Sequence, residues 1–210
     1  MTLCPHCAED LVTPLVCLAC GELLQVSQAP SPFAALGLEP AWAVDPKDLK
    51  RRILKFSRAV HPDFFATAAE SVQQRAEDAS AALNAANNTL KDEFRRADWL
   101  VSFLGGPSEA DERQMPQAFL MQVMDWNETL EEARESEQDS NEWRAMEALA
   151  AELKSERQEN LTAIEGLLTP LPAAKASALG DARKRLNAIR YIDRTRTEIK
   201  NLQLQATLKK

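Results

Sequence analysis

Glycine and tyrosine are scarce in this chain, with six Gly and one Tyr among 210 residues. Strands are enriched in aromatic and β-branched residues, so the shortage argues against a strand-rich architecture and for an all-α one. Long apolar runs are missing too. No stretch approaches the roughly eighteen consecutive apolar residues of a membrane span. The first twenty residues lack both a basic leader and an Arg-rich, Ser-rich transit pattern, and the expectation is a cytoplasmic protein with no membrane partner. Basic charge is outweighed: 25 Lys and Arg face 32 Asp and Glu, for a net charge of −7. Nucleic acid is therefore not expected as a partner, because binding phosphates needs a basic surface. The two histidines are not placed as a catalytic pair, so no enzyme is expected.

What is present is unevenly distributed. All four cysteines fall in the first twenty residues, as CPHC at 4–7 and CLAC at 17–20. The spacing C-x2-C-x9-C-x2-C is close to the knuckle pairs of four-thiolate zinc sites, with Cys4, Cys7, Cys17 and Cys20 as ligands of one structural zinc ion. A segment this short has too little core to fold alone, so metal would supply its folding energy. Redox-active dithiols and an iron site are the alternatives, and disulfides are not expected in the cytoplasm. The Ser- and Pro-containing stretch that follows reads as a linker, which separates a metal-binding segment at 1–25 from the rest at 26–31.

From 32 to 106 the pattern is helical in four pieces. Asp45-Pro46 caps the second, whose apolar residues Leu49, Ile53, Phe56 and Val60 have the spacing of one buried face. This helix runs into His61-Pro62-Asp63, where proline bars its continuation and leaves a tight exposed turn. A third helix repeats the spacing with Val72, Ala76, Ala79, Leu83, Ala86 and Leu90, so the two should form a hairpin about the turn; a fourth carries Phe94, Ala97, Val101 and Leu104. Residues 47–58 hold six basic side chains against one acidic; Lys47, Arg51, Lys55 and Arg58 recur on the side away from the core.

A polar, turn-rich stretch at 107–116 reads as a second linker. Beyond it, helical runs at about 116–136, 141–168 and 172–205 predict an antiparallel three-helix bundle over 117–210. In the first of these, Phe119, Val123, Trp126 and Leu130 make a core stripe, while Leu120, Met121 and Met124 lie on a second stripe roughly 100° to 200° round the helix. Tyr191 is likewise off the core line of Leu179, Ala182, Leu186 and Ile189 on the last helix. No internal repeat is evident.

A short helix, a basic helix, HPD and a longer return helix resemble the J domain, the module by which co-chaperones engage ATP-driven DnaK-type chaperones. The run DASAALNAANNTLKDEFRRADWLVSFLGG at 78–106, QAFLMQVMDWNETLEEA at 117–133 and RKRLNAIRYIDR at 183–194 resemble the HscB family of iron–sulfur cluster assembly. The cysteine segment is similar to the extension of the eukaryotic members. The resemblance implies a J-domain hairpin with a C-terminal three-helix bundle and a zinc knuckle. It implies that His61, Pro62, Asp63 and the face of Lys47, Arg51, Lys55 and Arg58 dock on a DnaK/HscA-type chaperone and stimulate its ATPase. It also implies that Leu120, Met121, Met124 and Tyr191 bind the cluster scaffold protein IscU, with Asp125, Asn127 and Glu128 as a polar rim. The chain departs from the family at Phe64, where a basic residue is usual, and at Asn127, where an arginine is usual. The alternative is a general J-domain co-chaperone whose bundle binds a different client.

Overall fold

The computed structural model describes residues 2–25, 28–112 and 115–208. Among them every regular element is helical, apart from two isolated antiparallel bridges, Leu3 with Asp10 and Val16 with Leu23. The chain divides into two compact units, Met1–Leu100 and Val101–Lys210.

In the first unit Ser31 caps a short helix, α1 (Pro32–Ala35), by accepting from the Ala34 N–H at 3.0 Å. Gly37, at φ +62°, turns the chain away in the left-handed region that glycine adopts without strain. Asp45 caps α2 (Pro46–Ala59), accepting from the Lys47 N–H at 3.0 Å. The helix ends where Pro62 requires, and a 3₁₀ turn, Pro62–Phe65, leads to α3 (Glu70–Leu90) and then α4 (Glu93–Phe103). Helices α1 and α2 both pack on α3. Leu49, Phe56 and Val60 on the α2 side and Ala76, Ala79, Leu83, Ala86 and Leu90 on α3 are all buried, while Ile53 is half-buried. Each large apolar side chain so enclosed contributes about 1.5–3 kcal/mol.

The cysteine segment is built into this unit. Buried Thr13 donates through Oγ1 to the Ala35 carbonyl at 2.8 Å, and a Cβ on Gly37 would collide with the Val12 carbonyl oxygen. Arg75 of α3 donates through Nη1 to the Leu23 carbonyl at 3.0 Å and lies 3.6 Å from the Glu22 carboxylate.

The second unit holds α5 (Gln117–Glu135), α6 (Asn141–Leu168) and α7 (Ser177–Leu208), each packed on the other two. Ser140 caps α6 through the Trp143 N–H at 3.1 Å. The core runs from Phe119, Trp126 and Leu130 through Met146, Leu149, Leu153, Leu161 and Ile164 to Leu179, Leu186, Ile189, Ile192 and Ile199. Helix α7 starts at Ser177 rather than 172. Pro170 and Pro172 break the chain, and Lys175 takes a positive φ of 61° with its N–H on the Leu104 carbonyl at 2.8 Å. The polar stretch after Pro107 is fastened to α7: buried Arg183 donates through Nε to the Pro107 carbonyl at 2.8 Å, and Asn187 through Nδ2 to the Glu112 carbonyl at 2.7 Å.

Candidate functional site

Each CxxC pair occupies the tip of a miniature hairpin, and the two hairpins share one hydrogen-bond pattern. Cys4 N–H donates to the Glu9 carbonyl at 2.8 Å and Ala8 N–H to the Cys4 carbonyl at 2.9 Å. Thirteen residues later, Cys17 N–H donates to the Glu22 carbonyl and Gly21 N–H to the Cys17 carbonyl, both at 2.9 Å. A repeat is therefore present: LCPHCAED at 3–10 matches VCLACGEL at 16–23 in cysteine spacing and in the following Ala/Gly-Glu pair. Sequence reading missed it because only the cysteines and the glutamate are identical. Ala8 and Gly21 both adopt positive φ, +60° and +76°.

The pairing draws the four thiols together. All four Sγ atoms lie within 4.8 Å of one another, with Cys4 to Cys20 at 3.7 Å and Cys7 to Cys17 at 3.6 Å. Four thiolates about 2.3 Å from one tetrahedral ion stand about 3.8 Å apart, so the donor set fits a closed S₄ metal site. A disulfide would need a separation of about 2.05 Å, and all four cysteines are free. The His6 main chain, not its exposed imidazole, supports the site by donating to Cys4 Sγ at 3.4 Å. Cys17 is brought down to about 7 chiefly by the Cys20 backbone N–H, against burial, with the Ala19 N–H and the Cys20 and Cys7 thiols assisting. At Cys7 the Glu9 backbone also lowers the value, but burial and the Cys20, Cys17 and Cys4 thiols outweigh it and push it up to about 12.

The turn at the end of α2 is bare to solvent. Pro62 opens the 3₁₀ turn, and His61 Nδ1 accepts from the Asp63 N–H at 3.3 Å, which places the imidazole proton on Nε2. The Asp63 side chain is 86% exposed, and its carboxylate lies 3.6 Å from His61 Nδ1. Phe64 sets its ring edge-on to His61, with centroids 6.0 Å apart, and is itself 73% exposed. Lys47, Arg51, Lys55 and Arg58 are all exposed on one side of α2, as the spacing predicts, and Lys50 joins them. Arg52 does not. Its Nη1 donates to the Leu36 and Gly37 carbonyls at 3.1 and 2.9 Å, and its Nε to Asp48 at 2.8 Å, tying α2 to the end of α1. Asp48, which also pairs with Arg51, is held below the usual carboxylate range chiefly by the Arg52 hydrogen bond. Nothing in the six-cation pattern marked Arg52 as the one turned inward except its place beside Ile53.

On the second unit Leu120, Met121, Met124 and Tyr191 are 43%, 60%, 69% and 38% exposed, large apolar side chains that the bundle leaves uncovered. They are continuous with the core: Phe119 stands edge-on to Tyr191 and to Trp126, with centroids 5.7 Å apart in both pairs. Asp125, Asn127 and Glu128 are exposed beside them on α5.

A family profile, the HSCB C-terminal oligomerisation domain, matches residues 115–200. Among curated proteins, the co-chaperone HscB homologue of Mannheimia succiniciproducens is 31% identical over 175 residues, covering 82% of this chain and 95% of that protein. The Haemophilus influenzae homologue is 37% identical over 153 residues, 72% of this chain and 86% of its own. Of solved structures, chaperone HscB from Vibrio cholerae aligns with a TM-score of 0.70 at 25% identity, covering 84% of this chain and 99% of that one. Human co-chaperone HscB shares the fold with a TM-score of 0.75 at 22% identity, covering 97% of this chain and 100% of that one. With identity above 30% sustained over most of its length, the chain belongs to the HscB family of co-chaperone proteins.

Proposed function

We propose that the chain is a cytoplasmic, non-enzymatic adaptor that stimulates the ATPase of a DnaK/HscA-type chaperone and delivers the iron–sulfur scaffold protein IscU to it. The observation that carries the reading is the HPD turn in an HscB-family chain, solvent-exposed and adjoining a bare cationic helix face. In this reading residues 32–106 act as the J domain. The Asp63 carboxylate pairs with a chaperone cation, His61 donates from Nε2, and Pro62 holds the turn rigid. Lys47, Arg51, Lys55 and Arg58 steer the approach to an acidic surface. Residues 117–210 carry the cargo through Leu120, Met121, Met124 and Tyr191; methionine suits a surface that must adapt to its partner. Joining both functions in one chain raises the local concentration of scaffold at the chaperone.

Residues 1–25 bind one structural zinc through Cys4, Cys7, Cys17 and Cys20, with no open coordination position for catalysis. Metal analysis should find about one zinc per chain, lost in the Cys4→Ser/Cys17→Ser variant; iron with visible thiolate absorption would refute this.

The deciding experiment is a chaperone ATPase assay with and without scaffold. Synergy is expected, and His61→Gln should abolish stimulation while leaving the helical spectrum intact. Full stimulation by His61→Gln would refute the chaperone role. Stimulation without scaffold synergy would leave a general J-domain co-chaperone carrying another client.

A further inference from the structure

Helix α2 buries one face and shows the other to water, yet that outer face is not wholly cationic. With Phe56 at zero and 100° per residue, Leu54 falls about 160° round, inside the arc of about 120° to 260° over which Lys47, Lys50, Arg51, Lys55 and Arg58 spread. Leu54 is 50% exposed and sits with these five side chains in a shallow depression of about 550 Å³. A second exposed apolar side chain stands in the turn that follows this helix: Phe64, 73% exposed, whose ring meets the edge of His61. Isolated exposed apolar residues are ordinary. These two differ in place, since one is ringed by cations and the other abuts the HPD histidine. Neither belongs to the buried core of the unit.

Building on the chaperone-docking role proposed above, we infer that Leu54 and Phe64 are apolar anchors of that interface. Their counterpart is an ATP-driven chaperone whose acidic surface encloses an apolar recess, so that carboxylates meet the ring of cations while Leu54 and Phe64 lose their water. The two kinds of contact have separate consequences. Exposed cations accelerate encounter and make it salt-sensitive. Buried apolar anchors slow dissociation, with little dependence on salt.

Lysine substitutions separate this from docking by charge alone. If the partner surface were only acidic, Leu54→Lys and Phe64→Lys would add attraction and tighten the complex. If Leu54 and Phe64 enter an apolar recess, the same changes place a charge there and weaken it. The full chain, each variant and the double Leu54→Ala/Phe64→Ala variant are titrated against the purified cognate chaperone with ATP at two salt concentrations. Circular dichroism confirms that helicity is kept. Each lysine variant is expected to raise the half-maximal concentration about 10-fold, and the double alanine variant by at least as much, a step of about 1.4 kcal/mol in binding. The salt slope of the double alanine variant should match that of the unmodified chain, whereas Arg51→Ala/Lys55→Ala should flatten it. Tighter binding by either lysine variant, or a double alanine variant indistinguishable from the unmodified chain, overturns the inference. If that occurs while His61→Gln still abolishes stimulation, the chaperone role stands without these anchors; if His61→Gln retains stimulation, the role itself falls.

Discussion

At the scale of single residues, the repeat in the cysteine segment exposes an asymmetry. Gly21 takes its positive φ without strain, but Ala8 takes the same conformation with a Cβ that disfavours it by about 1–2 kcal/mol. Part of that cost is offset because alanine leaves the unfolded chain less freedom than glycine. Ala8→Gly should therefore tighten metal binding up to about fivefold, read by competition with a chromophoric chelator. Arg52 is a second case. Its fork on the Leu36 and Gly37 carbonyls and on Asp48 makes Arg52→Ala destabilising by about 1.5–3 kcal/mol, measured by urea unfolding of the full chain. Because Asp48 is depressed, the stability it contributes is present above the usual carboxylate range and disappears as pH falls through its lowered value. Asp48→Asn should show a deficit at neutral pH that narrows in acid. The gathering of the four cysteines and the exposed turn at His61-Pro62-Asp63 were legible from sequence, because spacing and a proline are enough to set them. Arg52 and Thr13 were not, because each acts on a carbonyl 15 to 22 residues away along the chain.

At the scale of elements, the periodicity of apolar residues anticipated the helices and most of their buried faces, since burying one stripe is what makes a helix stable in water. It also placed Leu120, Met124 and Tyr191 off the core line, and these are uncovered. Ala substitutions at those three positions should weaken scaffold binding at least tenfold in calorimetric titration while the bundle melts normally. Periodicity missed the start of α7, where the prolines and a left-handed Lys175 delay the first turn. It also could not show that the polar segment from Pro107 to Glu112 is bolted to α7 by Arg183 and Asn187. Along α6, Glu156 is raised above its ordinary value, first by burial and then by Glu152 and Glu159 one turn to either side. A raised carboxyl favours the folded state when protonated, so that contribution is lost as pH climbs through the raised value. Glu156→Gln should stabilise the second unit near neutral pH and make no difference in acid, tracked by thermal melts across that range.

At the scale of the whole molecule, the first hundred residues behave as one body although three sequence segments compose it. The thiol cluster lies at one end of a chain of contacts that runs through Thr13 and Val12 to the close of α1, and through Arg75 to α3. Metal and helices should therefore stabilise one another, and linkage makes that effect reciprocal. Stripping the metal with a chelator should lower the melting temperature of the first unit and leave the second unchanged. Gly37→Ala, remote from every sulfur, should hasten metal loss by displacing Val12 from its seat. Equal melting with and without metal would separate the segment from the helices energetically.

The same clasp bears on how the gene can be shortened. Leu15, 1% exposed, lines with Leu24 a crevice against Ala79 and Arg75 of α3, and Thr13 covers the end of α1. A version trimmed to start at Ser31 would leave that strip naked and the Ala35 and Leu23 tethers cut. Such a trimmed product should collect in inclusion bodies, or be recovered only as a sticky monomer that seeks a substitute cover.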